Sequence, residues 1–478
     1  MHLISRVFFP ICLSAAMQLA YASSDVKGQI FSFDSPNGIK EECIILDKMP
    51  GAEYSDEDAH IEQSFCGINL YDESIAVCPK TWSTSPGMEV FHLTGKKTSP
   101  AVFEQSICGT SLHKEINASG LPITFKTTMN SRTTSGTFST ASLLYYHFSR
   151  YLDAAIHVPV AVYRSIDKDV HLQRVTRRGL ELTAGSKARH MNHEAWLILQ
   201  KAERLPDAYQ PIDELFTRDR TQIYGVFIQP AGERYNSTLN GTRKSGWGEG
   251  QNRDFQNTAP FLALRSEQPL QAAIDLGLTQ ARKDKTLRHD MGRDISRQQM
   301  LYWMQELTEI TLLDYIFSQQ DRIGNIDYRN FWYWIEQGQL QSRHAENKLP
   351  PREISGFNPV RLMRTQLNDN DAGGKRSYAN FTKKTQMLEK IRHYNPDTYK
   401  RLLLLDRDFR NQGELYNYVA TTFGLTAQQL EQILNNTSQA AAILRNSCRQ
   451  GRLRFDLDPD AYFLTGETVE QTMNCDAS

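Results

Sequence analysis

Residues 297–334 join two apolar runs of different period through ten positions rich in polar residues. RQQMLYWMQELTEITLLDYIFSQQ (297–320) places apolar residues at 301, 304, 307, 310, 312 and 313, the repeat of a helix. FWYW (331–334) is an aromatic run of strand type. Between them DRIGNIDYRN carries two carboxylates and two amides, Asn325 and Asn330. So much polar equipment at the mouth of an apolar strand marks a loop held against a core. The rest of the chain agrees with a mixed architecture. The first part is rich in strand patterns, residues 383–447 are helical in pattern, and an apolar strand pair lies between 331 and 367. The expected class is α+β, with strands and helices segregated.

The 478 residues suit two or three domain-sized units, or one large two-lobed domain with insertions. Charge is balanced, 54 Lys and Arg against 55 Asp and Glu, so no global field draws the chain to nucleic acid or an acidic membrane. MHLISRVFFPICLSAAMQLAYASS has one Arg, no acid, a short apolar stretch and Ala20-Tyr21-Ala22, the pattern of a leader cleaved after Ala22. Pro10 and the shortness of the run argue against a membrane anchor, and Cys12 lacks the small neighbours of a lipoprotein cysteine. No other window has the roughly 20 apolar residues of a span, so the mature chain is expected to be soluble and exported, periplasmic or secreted.

Export bears on the cysteines. Without Cys12 there are six: Cys43, Cys66, Cys78, Cys108, Cys448 and Cys475. An even number in an oxidising compartment implies disulfides. Their distribution implies two bridges within 43–108 and one joining Cys448 to Cys475. No C-x-x-C occurs, which disfavours a metal site. Sequons stand at Asn117, Asn236, Asn240, Asn380, Asn435 and Asn436, and matter only in a eukaryotic host; the leader is of bacterial type.

Residues 23–110 read as strands and loops. PITFKTT (122–128) alternates and is a strand with Lys126 near its middle. Residues 135–152 read as a helix capped by Ser139 or Thr140. Pro159 closes it off before the strand VPVAVYR, and 183–204 suggest another helix. IYGVFIQPAGERY (223–235) is a buried strand entering a turn, and 236–260 an exposed polar loop or insertion.

Phosphoryl transfer from ATP asks a protein to position phosphates and neutralise charge. It uses a Lys on a strand, an Asp beside the attacking hydroxyl, and an amide and a second Asp as oxygen ligands for a hard divalent cation. Lys126, Asp321, Asn325, Asn330, Asp369 and Asp371 supply these types in that order. Asp371-Ala372-Gly373 has the form of a D-x-G metal-binding turn. No G-x-S-x-G or H-E-x-x-H occurs, which disfavours the common hydrolases.

D-R-x-x-N after a helix, an Asn before an aromatic strand and then D-N-D-A-G resemble the catalytic core of atypical protein-kinase-like folds: Golgi secretory-pathway kinases, HipA kinases, spore-coat CotH kinases and phosphatidylinositol 4-kinases. ASLLYYHFSRYLDAAIHVPVAVYR resembles the family's helix leading through a V-P turn to a strand, so the resemblance covers roughly 115–445. It implies a two-lobed fold, with a Cys-rich extension (23–110), a strand-rich lobe (111–235), the insertion (236–260), a helical lobe with the catalytic loop (261–447) and a tail (448–478). It implies ATP with Mg²⁺ or Mn²⁺ as cofactors and an unknown hydroxyl-bearing acceptor as partner. Lys126 is then the phosphate lysine, with Lys114 as the alternative. Asp321 orients or deprotonates the hydroxyl. Asp371 is the principal metal carboxylate, Asp369 the alternative register, and Asn325 or Asn330 the amide ligand. IYGVFIQP resembles the strand leading to the adenine-contacting hinge, which makes Gln229 a nucleotide-binding candidate.

The sequence departs from the family in three ways. Residues 135–152 hold no acid, and Ser142 stands where the family's helix has a Glu to pair with the lysine; Glu104, Glu115 and Glu194 are candidates from elsewhere. No Gly-rich phosphate loop is present beyond NASGLP (117–122). QGQLQSRHAENKLPPREISGFNP (337–359) reads as a hairpin insertion between Asp321 and Asp371. These leave an inactive kinase-like binding protein, or AMP transfer by the same fold, as the alternatives. Simpler readings apply elsewhere. A lone Asp321-Arg322 suits a surface cap, the aromatic run suits core packing, His147, His190 and His193 suit structural or surface roles, and QRVTRR (173–178) suits a solvated face.

Overall fold

The computed structural model describes residues 26–93, 98–118, 122–130, 136–185, 190–230, 232–242, 244–285, 287 and 295–476. The leader expected over 1–22 and residues 119–121 of NASGLP lie outside the described residues.

Seven strands form one antiparallel sheet in the order β1-β2-β6-β7-β5-β4-β3. They are β1 (Gly28–Asp34), β2 (Lys40–Leu46), β3 (Ile75–Pro79), β4 (Gly87–His92), β5 (Ile123–Thr127), β6 (Ala161–Asp167) and β7 (Gln222–Ile228). Alternation along the strands divides their side chains between two cores. Phe125, Val162, Ile166 and Phe227 face one side, where they pack with α1 (Asp56–Cys66). Ile44, Leu46, Tyr163, Val226 and Ile228 face the other, against α2 (Thr140–Tyr151) and the helical part of the chain. Nearly every residue of α2 is buried, because it is pressed between the sheet and that second part. Trp196 and Leu199 of α3 (His190–Arg204) cover the Phe125 side.

The segment 23–110 is not only strands and loops. It also forms α1 and the helix Pro100–Ile107, with the helix Ser111–Ala118 just after it, and its four strands complete the sheet that holds β5. Disulfides Cys43–Cys66 and Cys78–Cys108 tie α1 and the Pro100–Ile107 helix to the sheet strands β2 and β3, and Cys448–Cys475 fastens the tail, the grouping expected from the cysteine positions.

The helical part is built around α4 (Arg297–Phe317), buried on all sides from Gln299 onward. It packs against α5 (Ala427–Arg449) and the helix Ala259–Leu264. Its polar residues are engaged internally: Glu306 with Arg364 at 2.6 Å, and Glu309 accepting from the Ala155 and Ile156 amides at 3.0 and 2.8 Å. Ser318, in the left-handed region at φ 53°, ends α4. A second sheet follows, β10-β9-β11 with β8 on β9: β8 (Glu233–Arg234), β9 (Asp327–Glu336), β10 (Gln339–His344) and β11 (Val360–Gln366). The expected hairpin insertion is thus the β9–β10 hairpin and the turn that returns to β11.

Residues 236–260 are not an exposed loop. They fold into helices Ser237–Asn240 and Glu249–Phe255, anchored by buried Leu239 and Phe255. Polar composition concealed this, because buried Asn240 is satisfied internally: its Oδ1 accepts from the Ile326 amide at 2.9 Å and its Nδ2 donates to the Tyr235 carbonyl. The same burial removes Asn240 as a glycosylation acceptor. The helix expected over 183–204 is two helices, Arg177–Thr183 and α3. Among the described residues no helix is long and apolar enough to cross a membrane.

Candidate active site

Lys126 leaves β5 on the face it shares with Val226, its register partner on β7, and so points toward the helical part. There its ammonium donates to Asp369 Oδ1 at 2.9 Å and to Asp371 Oδ1 at 3.1 Å. Burial alone would lower the lysine pKa, but the Asp371 and Asp369 carboxylates outweigh it and hold Lys126 charged, well above the usual range. Burial likewise works to raise Asp369, and Lys126 and Arg234 overcome it, keeping that carboxylate ionised far below its ordinary value. Opposed charges and an exacting position make the trio a candidate site rather than a surface ion pair.

The turn carrying the two aspartates is sewn to both parts of the molecule. Asp369 takes the left-handed conformation at φ 52°, and Asn370–Ala372 make one 3₁₀ turn. The Asp371 carbonyl accepts from the Phe138 amide at 2.6 Å, just before α2. The Ala372 carbonyl accepts from the Gln320 amide at 3.1 Å, and Gly374 donates to the Phe317 carbonyl at 2.6 Å. Gly374 has φ +81°, and a Cβ there would lie 2.9 Å from the Phe138 ring and 3.1 Å from Ala141. The glycine pair therefore lets the aspartate turn press against the start of α2.

Asp321 lies in the loop between α4 and β9. It is half-buried, and its Oδ1 accepts from the indole of Trp247 at 3.1 Å. Trp247 comes from the inserted segment and sits edge-on to Phe381, 5.0 Å between ring centres. Arg322 is not a surface residue. It is buried and forks onto Asp314 at 2.9 Å, while reaching the Asn368 carbonyl at 2.6 Å and Asn370 Oδ1 at 2.9 Å. One guanidinium thus clamps the Asp321 loop to the Asp369–Asp371 turn.

Asn325 belongs to the site through its backbone neighbours and Arg234. Its Nδ2 donates to the Asp321 carbonyl at 2.6 Å, and its Oδ1 accepts from Arg234 Nη1 at 2.5 Å. Asn330 is not brought there. It stands on β9 opposite Met363, three residues beyond Asp327, so its side chain leaves the opposite face of the sheet. Gln229 is also apart. Its Oε1 accepts from the Val160 amide at 3.4 Å, and it lines a separate cavity of about 610 Å³ with Ile61, Ile123 and Arg329. Lys114 and Glu115 are exposed on the Ser111–Ala118 helix, Glu194 is exposed on α3, and Glu104 is spent on Arg174 at 2.6 Å. Ser142 is buried in α2, and among the described residues no helix carboxylate meets Lys126.

Sequence reasoning did not single out Asp327 and Arg234 as site residues. Asp327 opens β9, is 1% exposed, and meets Arg234 Nε at 2.5 Å. Burial lifts its pKa to about 6, opposed by Arg234 and reinforced by Asp369. A lone acid opening an aromatic strand was the available signal, since an acid buried there needs a cation. Arg234 follows Glu233 in a two-residue strand beyond the IYGVFIQP segment, where nothing local shows which face it serves.

The oxygen donors suit a hard divalent cation. Asp371 Oδ2 carries no hydrogen bond from the described residues, and Asp369 lies beside it. Among the described residues no three His, Cys, Asp or Glu gather in a metal-binding group.

No family model and no curated protein matches the sequence. Among solved structures, one described as "crystal structure of the Golgi casein kinase with Mn/ADP bound" aligns with 82% of this chain and 77% of its own, at 11% identity and a TM-score of 0.41. A second, of the Golgi casein kinase, aligns with 90% and 87%, at 12% identity and a TM-score of 0.37.

Proposed function

We propose that the chain is an exported kinase-like phosphotransferase that moves the γ-phosphate of ATP to a hydroxyl of a protein, glycan or small molecule. One observation carries the reading: Lys126 of the seven-stranded sheet meets Asp369 and Asp371 of the helical part across 243 and 245 residues of chain. A strand lysine, a carboxylate pair and a nearby loop aspartate are the parts that phosphoryl transfer uses. Lys126 holds the phosphates from the sheet side. Asp371 and Asp369 hold Mg²⁺ or Mn²⁺, whose positive charge, when bound, offsets that of the phosphates. Asp321 accepts or orients the acceptor hydroxyl, its carboxylate aimed by the Trp247 indole. The three disulfides fit an oxidising compartment and so an exported chain, periplasmic or secreted.

A second reading, a kinase-fold binding protein without transfer, is favoured by one observation. The lysine's partners are the two aspartates, and α2 has no acid to draw it into place for a nucleotide. One experiment separates the two. Purified, oxidised protein is incubated with ATP and Mn²⁺ or Mg²⁺ and its mass followed, beside Asp321→Ala, Asp371→Asn and Lys126→Met. Gain of one phosphate, falling at least about a hundredfold in all three variants, is the expected result. Gain of AMP would keep the site and change the reaction. Nucleotide binding without transfer would support the binding protein, and neither binding nor transfer would overturn both readings.

A further inference from the structure

We propose that Arg234 stands permanently where a second cation would bind, so that this site takes one divalent cation per nucleotide. The inference rests on the phosphotransferase reading of the same site. Arg234 reaches the oxygens a hard cation would choose: Asp327 Oδ1 and Asn325 Oδ1, each at 2.5 Å, the Gly324 carbonyl, and Asp369 Oδ2 at 3.3 Å. It is not a surface arm that has swung inward. Arg234 is the register partner of Asp327 in the β8–β9 ladder. The ladder continues as the Tyr235 amide donates to the Ile326 carbonyl at 3.1 Å, and beside it the Tyr328 hydroxyl donates to the Glu233 carboxylate at 2.8 Å. Backbone pairing thus fixes the guanidinium beside the carboxylate.

Charge and access lead to the same count. Asp327, Asp369 and Asp371 face two resident cations, Lys126 and Arg234. Asp327 is 1% exposed, and apart from Arg234 its side chain has, among the described residues, only the Asn368 amide, at 3.3 Å. Ejecting Arg234 would strand that carboxylate without a charge partner, which a buried acid resists strongly. A metal could replace the guanidinium only by entering as it leaves. At the other end of the cluster the Asp371 side chain is 4% exposed, and its Oδ2 carries no hydrogen bond from the described residues, which leaves one acceptor oxygen for a cation. One cation held there by one or two carboxylates and completed by phosphate oxygens matches a common coordination of Mg²⁺ with nucleotides. The Arg234 side chain keeps 43% of its exposure, so its planar fork is in part open to solvent, where it can meet a phosphate.

The test counts bound metal. Mn²⁺ binding to the oxidised protein is titrated by loss of the free-ion electron paramagnetic resonance signal, with a non-hydrolysable ATP analogue in excess and analogue-bound metal counted in a protein-free control. The wild type should hold one protein-dependent Mn²⁺ at saturation. Arg234→Ala should hold two, and Arg234→Ala with Asp327→Asn should return to one. Two ions on the wild type overturn the inference, whether or not the variants fold, and leave the phosphotransferase reading intact. One ion on wild type and on a folded Arg234→Ala also overturns it. No analogue or Mn²⁺ binding by the wild type instead sinks the functional reading on which it rests.

Discussion

His147 is fully buried on α2, where Nδ1 lies 2.6 Å from the Tyr54 hydroxyl and 3.1 Å from that of Tyr418. Burial, helped by Lys48 and Arg150, pushes its pKa down to about 3. Below about pH 6.5 the unfolded chain takes a proton that the folded His147 ring refuses, so stability falls as pH drops from 6.5 toward 3. The ring accounts for about 2 kcal/mol of loss between pH 7 and pH 5. Denaturant titrations across that range should show the drop, and His147→Phe should remove roughly its own share. A drop of the same size in His147→Phe would place its origin elsewhere. Asp58 adds a lower acid limb: burial works against its ionised form, but the two hydrogen bonds from Arg150 (2.7 and 2.8 Å) win and hold its pKa down. The stability from that pair is present above about pH 4 and is lost as pH falls through the depressed value.

The aspartate turn and the Asp321 loop are one element in mechanical terms, because Arg322 clamps them and Gly374 seats them. Arg322→Met should cost about 3–5 kcal/mol in chemical denaturation, since among the described residues it leaves the buried Asp314 carboxylate with only the Tyr145 hydroxyl at 2.7 Å. Arg322→Lys should lie between, as an ammonium keeps the charge without the fork. Gly374→Ala should cost about 1–3 kcal/mol, because φ +81° and the Phe138 ring both oppose a Cβ. It should also weaken Mn²⁺ binding by displacing Asp371. A folded Gly374→Ala variant with unchanged stability and Mn²⁺ affinity would show that the turn is not held where the Phe138 contact puts it.

Across the whole molecule, the extension is a part of the active-site sheet. β4 pairs directly with β5, Gly87 opposite Lys126, and α1 grips α2 through Asp58–Arg150 and through Glu62, which accepts from Tyr146 at 2.9 Å. Deleting residues 26–110 should therefore leave no cooperative unfolding transition, rather than a smaller stable lobe. The bridges Cys43–Cys66 and Cys78–Cys108 span 23 and 30 residues, and each is worth about 3 kcal/mol on loop entropy. Pairwise replacement by Ala should lower stability by about that amount, and the Cys43–Cys66 pair should also loosen α1. A truncated chain that melts sharply would separate the extension from the fold.

The local patterns were legible in the sequence because they depend on neighbours a few residues apart. Period and caps gave away α4, the strand around Lys126 and the aromatic strand β9, and proximity in the chain was enough to group the cysteines. The residue types that phosphoryl transfer needs also stood in order, with Lys126, Asp321, Asn325, Asp369 and Asp371 near enough in space to be read as one site. Which faces meet was decided only by tertiary structure. A three-residue step along β9 sends Asn330 away from Asp327, and no local rule says where the strand starts its count. The partner of Lys126 lies more than 240 residues on, and Arg234 reaches Asp327 through a two-residue strand too short to leave a pattern. Periodicity fixes which residues share a face, whereas charge pairing across the cleft depends on long-range register and packing, which single-chain patterns do not encode.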